Sequence, residues 1–514
     1  MTPSPRLFPR TLPGVAGSAL PLTTLLLALS LSLAPAHAAE TQAQKALAEQ
    51  MKALLQRMQQ LEQRNQELER KLQESSKTAP PAAAAATAPA AAGSAVSAVA
   101  ADPRDSRLQA VERQQQNLQQ QVQALARPID AVDEAGDEGP KVEGSLLAVG
   151  QQVNRAGSDT GLRQSRLNYR GDLTVTLPGG FVGDALGTAF GQLRFGQGGG
   201  VALRPTHTGT VNSTTFEAAA GSDQTYAVVA QAWYQLEWPL DGGRFNDQAG
   251  SRVEMTVGKM DLFGMFDQNA VAADEGAAFL NNVFVHNPLL DSGGDIGADS
   301  YGFAPGLRVG YFNEGDSLAW GVSMGVFASG SGATFSSGPS KPMVITQFQI
   351  SPKQINGEPR GTYRLYAWSN GRTTDINGVE QRHTGYGVSA DQRVGREWNL
   401  FGRYGQRTQG SGAFDRALTL GFEHGGRAWG RGRDAAGLAV GWLNTSSVWR
   451  DATADGTLVG YSASGAERIT ELYYRIKLNQ SLELTPDFQL IQRAGGDSTA
   501  ATSRVIGLRA KFGF

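Results

Sequence analysis

The basic side chains in the C-terminal three-quarters of this 514-residue chain are nearly all arginine, and Arg166, Arg170, Arg194, Arg364, Arg403, Arg407 and Arg475 recur at alternate positions of extended segments. A guanidinium stays charged and presents planar donors suited to carboxylates or to paired sugar hydroxyls. Glu237, Asp267, Asp274 and Glu275 add acceptors, and Trp233 and Trp368 add flat apolar faces for a pyranose ring. Such a set binds and orients polar solutes. It does not break bonds: there is no cysteine for a thiol nucleophile, a disulfide or a thiolate-bound metal. Past residue 38 only His207, His286, His383 and His424 remain, none in a nucleophile signature, so no enzyme is expected. Asp267, Asp274 and Glu275 do not match a D-x-[DN]-x-[DN]-G loop, so neither metal nor other cofactor is expected. A formal net charge of −2 with interspersed signs leaves no footprint for nucleic acid.

The element that positions these residues has a period of two. Beyond Lys141, segments of roughly ten residues alternate in polarity, the length and pattern of strands that cross an outer membrane. Arg166, Asn168, Arg170, Asp172 and Thr174 share one face, with Leu167, Tyr169, Leu173 and Val175 on the other. Gln231, Trp233, Gln235 and Glu237 oppose Ala232, Tyr234, Leu236 and Trp238, and Glu471, Tyr473 and Arg475 oppose Leu472, Tyr474 and Ile476. About sixteen such segments begin near residues 142, 166, 187, 225, 250, 300, 317, 342, 360, 382, 396, 415, 435, 464, 481 and 503. The fold class expected over 141–514 is therefore an all-β transmembrane barrel of about 16 antiparallel strands, wide enough for a water-filled lumen. Connections at 312–317, 393–396 and 478–481 are tight, whereas those around 197–224, 260–299 and 445–463 are long, the parity of periplasmic turns and outer loops. Hydrocarbon offers backbone amides no partner, so such a sheet must close on itself. Phe514 ends a strand whose lipid side carries Ile506, Leu508, Ala510 and Phe512, and it resembles the signal read by outer-membrane assembly machinery.

Ahead of the barrel, Arg6 and Arg10, an apolar run at 20–33 and Ala36-His37-Ala38 read as a secretory signal peptide over 1–38. Residues 39–78 carry a heptad seam, with Leu54, Leu61 and Leu68 at d and Asn65 as the polar a residue. Arg57 with Glu62 and Arg64 with Glu69 then pair between parallel chains, so a homo-oligomer is expected. The Asn favours two chains, whereas Leu55 at e widens the stripe towards three. An Ala/Pro-rich linker at 79–104 and a second, short seam with an acidic stretch at 105–140 complete this periplasmic α-helical coiled-coil region.

About forty residues at 260–299 are too many for an idle loop. They read Gly258-Lys259-Met260-Asp261, Phe266-Asp267-Gln268-Asn269, Asp274-Glu275, Phe279-Leu280-Asn281 and Asn287-Pro288. In this order, and with Pro486-Asp487-Phe488-Gln489 and Gly507-Leu508-Arg509 near the end, they resemble the carbohydrate-selective porin family. The resemblance implies a sixteen-stranded barrel in the cell outer membrane that admits small sugars and other hydrophilic solutes by diffusion, with the long loop folded inward as constriction. The heptad region is more similar to coiled-coil-bearing trimeric porins for small organic acids, which keeps an anion-selective pore open. A barrel that merely anchors a tether to the cell wall is the structural alternative.

Overall fold

The computed structural model describes residues 140–216, 225–240, 250–291, 302–315, 317–330, 340–353 and 360–514. The expected signal peptide, both heptad seams and the linker between them lie outside the described residues.

Sixteen strands follow one another. The first eight are β1 (Lys141–Val153), β2 (Gln164–Val182), β3 (Ala185–Gln197), β4 (Tyr226–Pro239), β5 (Ser251–Asp261), β6 (Phe303–Glu314), β7 (Leu318–Phe327) and β8 (Met343–Pro352). The rest are β9 (Gly361–Thr374), β10 (Glu380–Val394), β11 (Trp398–Gln409), β12 (Phe414–Gly425), β13 (Ala435–Thr445), β14 (Ala466–Lys477), β15 (Leu482–Gln492) and β16 (Ser503–Gly513). Each begins within three residues of the position read from the alternation. Every strand pairs antiparallel with its sequence neighbours, and β1 closes on β16 in the register Ser145↔Gly513 to Val153↔Val505, giving a closed barrel.

The two faces are inverted relative to a water-soluble protein. Leu167, Leu365, Leu472, Ile506 and Leu508 stand exposed on the outside, while Arg403, Arg509, Glu471 and Gln489 are buried within. An apolar outer band around a polar interior is the pattern lipid demands. The connections at 183–184, 395–397 and 478–481 share one rim with Lys141 and Gly513, and the long ones at 198–225, 262–302 and 446–465 share the other. Around the short-turn rim the outer face carries aromatic contacts, Tyr311 with Trp320 and Trp398 with Phe422, as at a membrane–water boundary.

At the closing seam Gly144 and Phe514 exchange backbone hydrogen bonds of 3.1 and 3.0 Å, and the Phe514 ring lies across the bare Cα of Gly144, where a Cβ would sit 2.2 Å from the ring. Only glycine leaves that ring its place.

The apolar core is inside the barrel. Phe266, Phe279, Phe284, Leu289 and Leu290 of the long connection pack against Phe327, Ile345, Tyr366, Trp368, Phe401 and Tyr473 of the wall. Three single-turn helices give that connection its shape: α1 (Leu262–Met265), α2 (Asn282–Val285) and α3 (Pro288–Asp291). Asp261 caps α1 by accepting from the Phe263 amide, and Asn281 caps α2 by accepting from the Val283 amide.

Candidate functional site

A loop held inside a barrel has irregular backbone, whose amides and carbonyls need partners from the wall. The inward arginines and carboxylates supply them. Arg509 donates to the Glu275 and Ala278 carbonyls at 2.8 and 2.9 Å, Arg475 to the Ala277 carbonyl at 2.9 Å, and Arg403 to the Phe284 carbonyl at 2.5 Å. Glu471 accepts from the Leu280 and Asn281 amides at 2.6 and 3.0 Å. Asp267, at a left-handed φ of 55°, accepts from the Asn287 amide at 2.6 Å and the Tyr366 hydroxyl at 2.7 Å, with the Arg403 guanidinium 3.3 Å away.

A second loop also turns inward, which the sequence reading did not foresee. In the β3–β4 connection the Val211 carbonyl accepts from Gln151 and Gln489 of the wall, both at 2.9 Å. Its backbone pairs with the long connection through Ser213 to Leu280 at 2.8 Å and Asn282 to Thr210 at 3.1 Å. Further out, the His207 and Thr208 amides both donate to the Glu467 carboxylate at 2.8 Å. The available signal was the run of Thr, Asn and Ser at 206–215, short side chains that cap their own backbone, as Asn212 does for Thr214.

A group of ion-paired side chains gathers where β2, β3, β4 and β16 face the tip of the long connection, with Arg170 buried and Asp172, Arg194 and Glu275 largely covered. Arg170 lies 2.7 Å from Glu275 and 3.0 Å from Asp172, whose other oxygen is 2.6 Å from Arg194. Asp274, 62% exposed, stands 3.7 Å from Lys511. Burial pushes the Glu275 carboxyl up, but the Arg170 and Arg194 guanidinia outweigh it and hold the group below the usual carboxylate range. Beside this cluster, Gln192 donates to Asp172 and accepts from Gln231, and Trp233, half-buried, donates to Gln231 while stacking on Phe190 at 4.8 Å between centroids. Towards the short-turn rim, Arg252 bridges Glu237 at 3.8 Å, Glu254 at 2.9 Å and Glu314 at 3.0 Å.

Several expected lining residues are placed differently. Asp267 and Arg403 are sealed, with side chains 0 and 1% exposed, because the loop they clamp covers them. Trp368 is likewise buried beneath the core, as are Tyr366 and Tyr473, so none of the three offers a ring face to the lumen. Arg364 is locked to Asp391 at 2.9 Å, and Arg475 to Glu423 at 3.0 Å. Arg407 sits half-buried near the long-loop rim. Arg166, paired in register with Gln151, is exposed at that rim, and its guanidinium turns to the Ser165 carbonyl. Of the expected set, the geometry brings Arg170, Arg194, Asp274, Glu275 and Trp233 to one place and leaves Glu237 in a separate one.

The sequence profile of carbohydrate-selective porins, the OprB family, matches residues 106–514. Among solved structures, the high-pH form of Pseudomonas putida OprB aligns at 19% identity over 74% of this chain and 95% of its own, with a TM-score of 0.56. The low-pH form aligns at 18% identity over 74% and 93%, with a TM-score of 0.42. The outer membrane channel DcaP of Acinetobacter baumannii aligns at 13% identity over 74% and 99%, with a TM-score of 0.42. No curated protein sequence matches the chain.

Proposed function

Because the chain belongs to the carbohydrate-selective porin family, we propose that it is an outer-membrane channel through which small sugars and related hydrophilic solutes diffuse, constricted by the 262–302 connection. The observation that carries this reading is the ion-paired group of Arg170, Asp172, Arg194 and Glu275, with the solvent-reaching Asp274 and Lys511 at its edge, next to the Phe190–Trp233 stack. Alternating donors and acceptors match the hydroxyls of a polyol, and the half-buried Trp233 indole adds an apolar surface for a sugar ring. The loop narrows the lumen, so every solute passes these groups.

Carboxylates neutralise much of the arginine charge in this group, which favours neutral solutes over a strongly anionic permeant. The anion-selective reading rests on Arg170, Arg194 and Lys511, and a structural tether would use the barrel only as an anchor. Liposome swelling with monosaccharides and disaccharides, together with reversal potentials in a salt gradient with and without succinate, tests all three. Sugar-driven swelling with weak ion preference supports the sugar channel. A strong anion preference supports the second reading, and a sealed barrel the third. The heptad region and its Leu54, Leu61, Asn65 and Leu68 belong to the same proposal as a periplasmic self-association element, read out by mass in detergent.

A further inference from the structure

The short-turn rim is unevenly charged. The connections at 395–397 and 426–434 touch: the Gly425 amide donates to the Glu397 carbonyl at 2.8 Å, and Arg427 lies 3.6 Å from the Glu397 carboxylate. With the neighbouring strand ends they display Arg360, Arg393, Arg396, Arg427, Arg431 and Arg433, all exposed. The described carboxylates among them are Glu397 and Asp434. Asp434 is buried and occupied inside the turn, accepting from the Tyr474 hydroxyl at 2.8 Å, the Lys477 amide at 3.1 Å and Arg431. It fixes the 426–434 connection and holds Arg431, while Arg427, Arg431 and Arg433 all stay exposed. Elsewhere on this rim the 183–184 connection carries Asp184 and the 478–481 connection no charge at all.

Directly outward lies an aromatic cluster. Trp398 meets His424 at 4.3 Å between centroids, His424 stacks on Trp429 at 5.4 Å, and the Trp429 indole donates to the Tyr474 hydroxyl at 2.9 Å. Trp398 and Trp429 remain exposed on the lipid side. Indole and phenol rings sit at headgroup depth, which places the arginines at the level of lipid phosphates. Guanidinia pair with phosphate through two parallel hydrogen bonds.

We propose that this sector is a docking surface for the phosphate headgroups of anionic phospholipids in the periplasmic leaflet. It rests on the reading of the chain as an outer-membrane barrel with its short turns on the periplasmic side. The full-length protein in nanodiscs of mixed phosphatidylglycerol and phosphatidylethanolamine, released for native mass spectrometry, reports which lipid stays bound. Wild type is expected to retain phosphatidylglycerol preferentially, and R396Q/R427Q/R433Q to lose it by about fivefold per arginine removed. Equal retention of the two lipids, an unchanged triple variant, or displacement of the lipid by excess inorganic phosphate overturns the proposal. Bilayer conductance of the same preparations separates the two levels. Intact conductance without lipid preference sinks only the docking surface, whereas absent conductance with no heat-modifiable barrel sinks the underlying reading.

Discussion

The Arg403 guanidinium lies 3.3 Å from the Asp267 carboxylate, with neither side chain reaching solvent. Their pairing joins β11 to the start of the constricting loop, and the Tyr366 hydroxyl and Asn287 amide complete the shell around the carboxylate. Next to the apolar core inside the barrel, this is a dry clamp.

Breaking the clamp from one side leaves a buried charge, which costs about 3–5 kcal/mol. Arg403→Met is expected to loosen the loop, raising single-channel conductance and its noise while lowering the thermal midpoint of the β-structure. Unchanged conductance with a lowered midpoint would mean that the clamp stabilises the barrel without setting its width.

The ion-paired cluster of Arg170, Asp172, Arg194 and Glu275 predicts selectivity. Arg194 approaches Asp172 at 2.6 Å and neighbours the Arg170–Glu275 pair. Arg194→Glu replaces a positive charge by a negative one beside two carboxylates, so the reversal potential in a salt gradient should move towards cations. An unmoved reversal potential would take Arg194 off the solute path.

Trp233 contributes a ring face, not a charge. Trp233→Ala is expected to slow sugar-driven liposome swelling severalfold in line with the ~1 kcal/mol that an aromatic contact contributes, while leaving small-ion conductance unchanged. Equal loss of both would point to collapse of the wall around the Phe190 stack.

The seam predicts an assembly phenotype. Gly144→Leu and Phe514→Ala remove the same contact from opposite sides, so each should lower the yield of heat-modifiable barrel in membranes, and together no more than the worse of the two. Additive losses would show that Phe514 acts independently of Gly144.

A pH dependence follows from His207, which lies in the β3–β4 connection with Nε2 2.8 Å from the Thr445 hydroxyl. Burial lowers its pKa from 6.5 to about 4. The neutral ring is the folded form, so its contribution is fully present above pH 6.5 and is lost as pH falls through that window towards 4. The loss amounts to up to about 3 kcal/mol of local stability. Hydrogen exchange across 200–216 should accelerate on acidification in wild type and become less pH-dependent in His207→Gln. Identical pH profiles for the two proteins would assign any acid sensitivity to other groups.

How much of this was readable beforehand follows from what a period of two can encode. Alternation along each strand reports which side of the sheet a residue faces, and lipid outside with water inside makes that contrast strong. Hence the sixteen strands, the closure and the inward register of Arg170, Arg194 and Arg475 were all present in the order of residue types. The motif run from Gly258 to Pro288 likewise marked the loop that enters the lumen.

Alternation says nothing of what stands opposite an inward side chain. Whether Arg403 meets water or the Phe284 carbonyl, and whether Trp368 faces a sugar or a packed core, depends on where two distant loops settle, and the Arg403 contacts join residues more than a hundred positions apart. The inward path of the β3–β4 loop was hidden for the same reason: its partners Gln489 and Glu467 lie at the other end of the chain. Residue order determined the cylinder and its two faces. The tertiary structure alone decided which inward charges bind protein backbone and which pair with one another, because a buried loop must satisfy its own amides and carbonyls first.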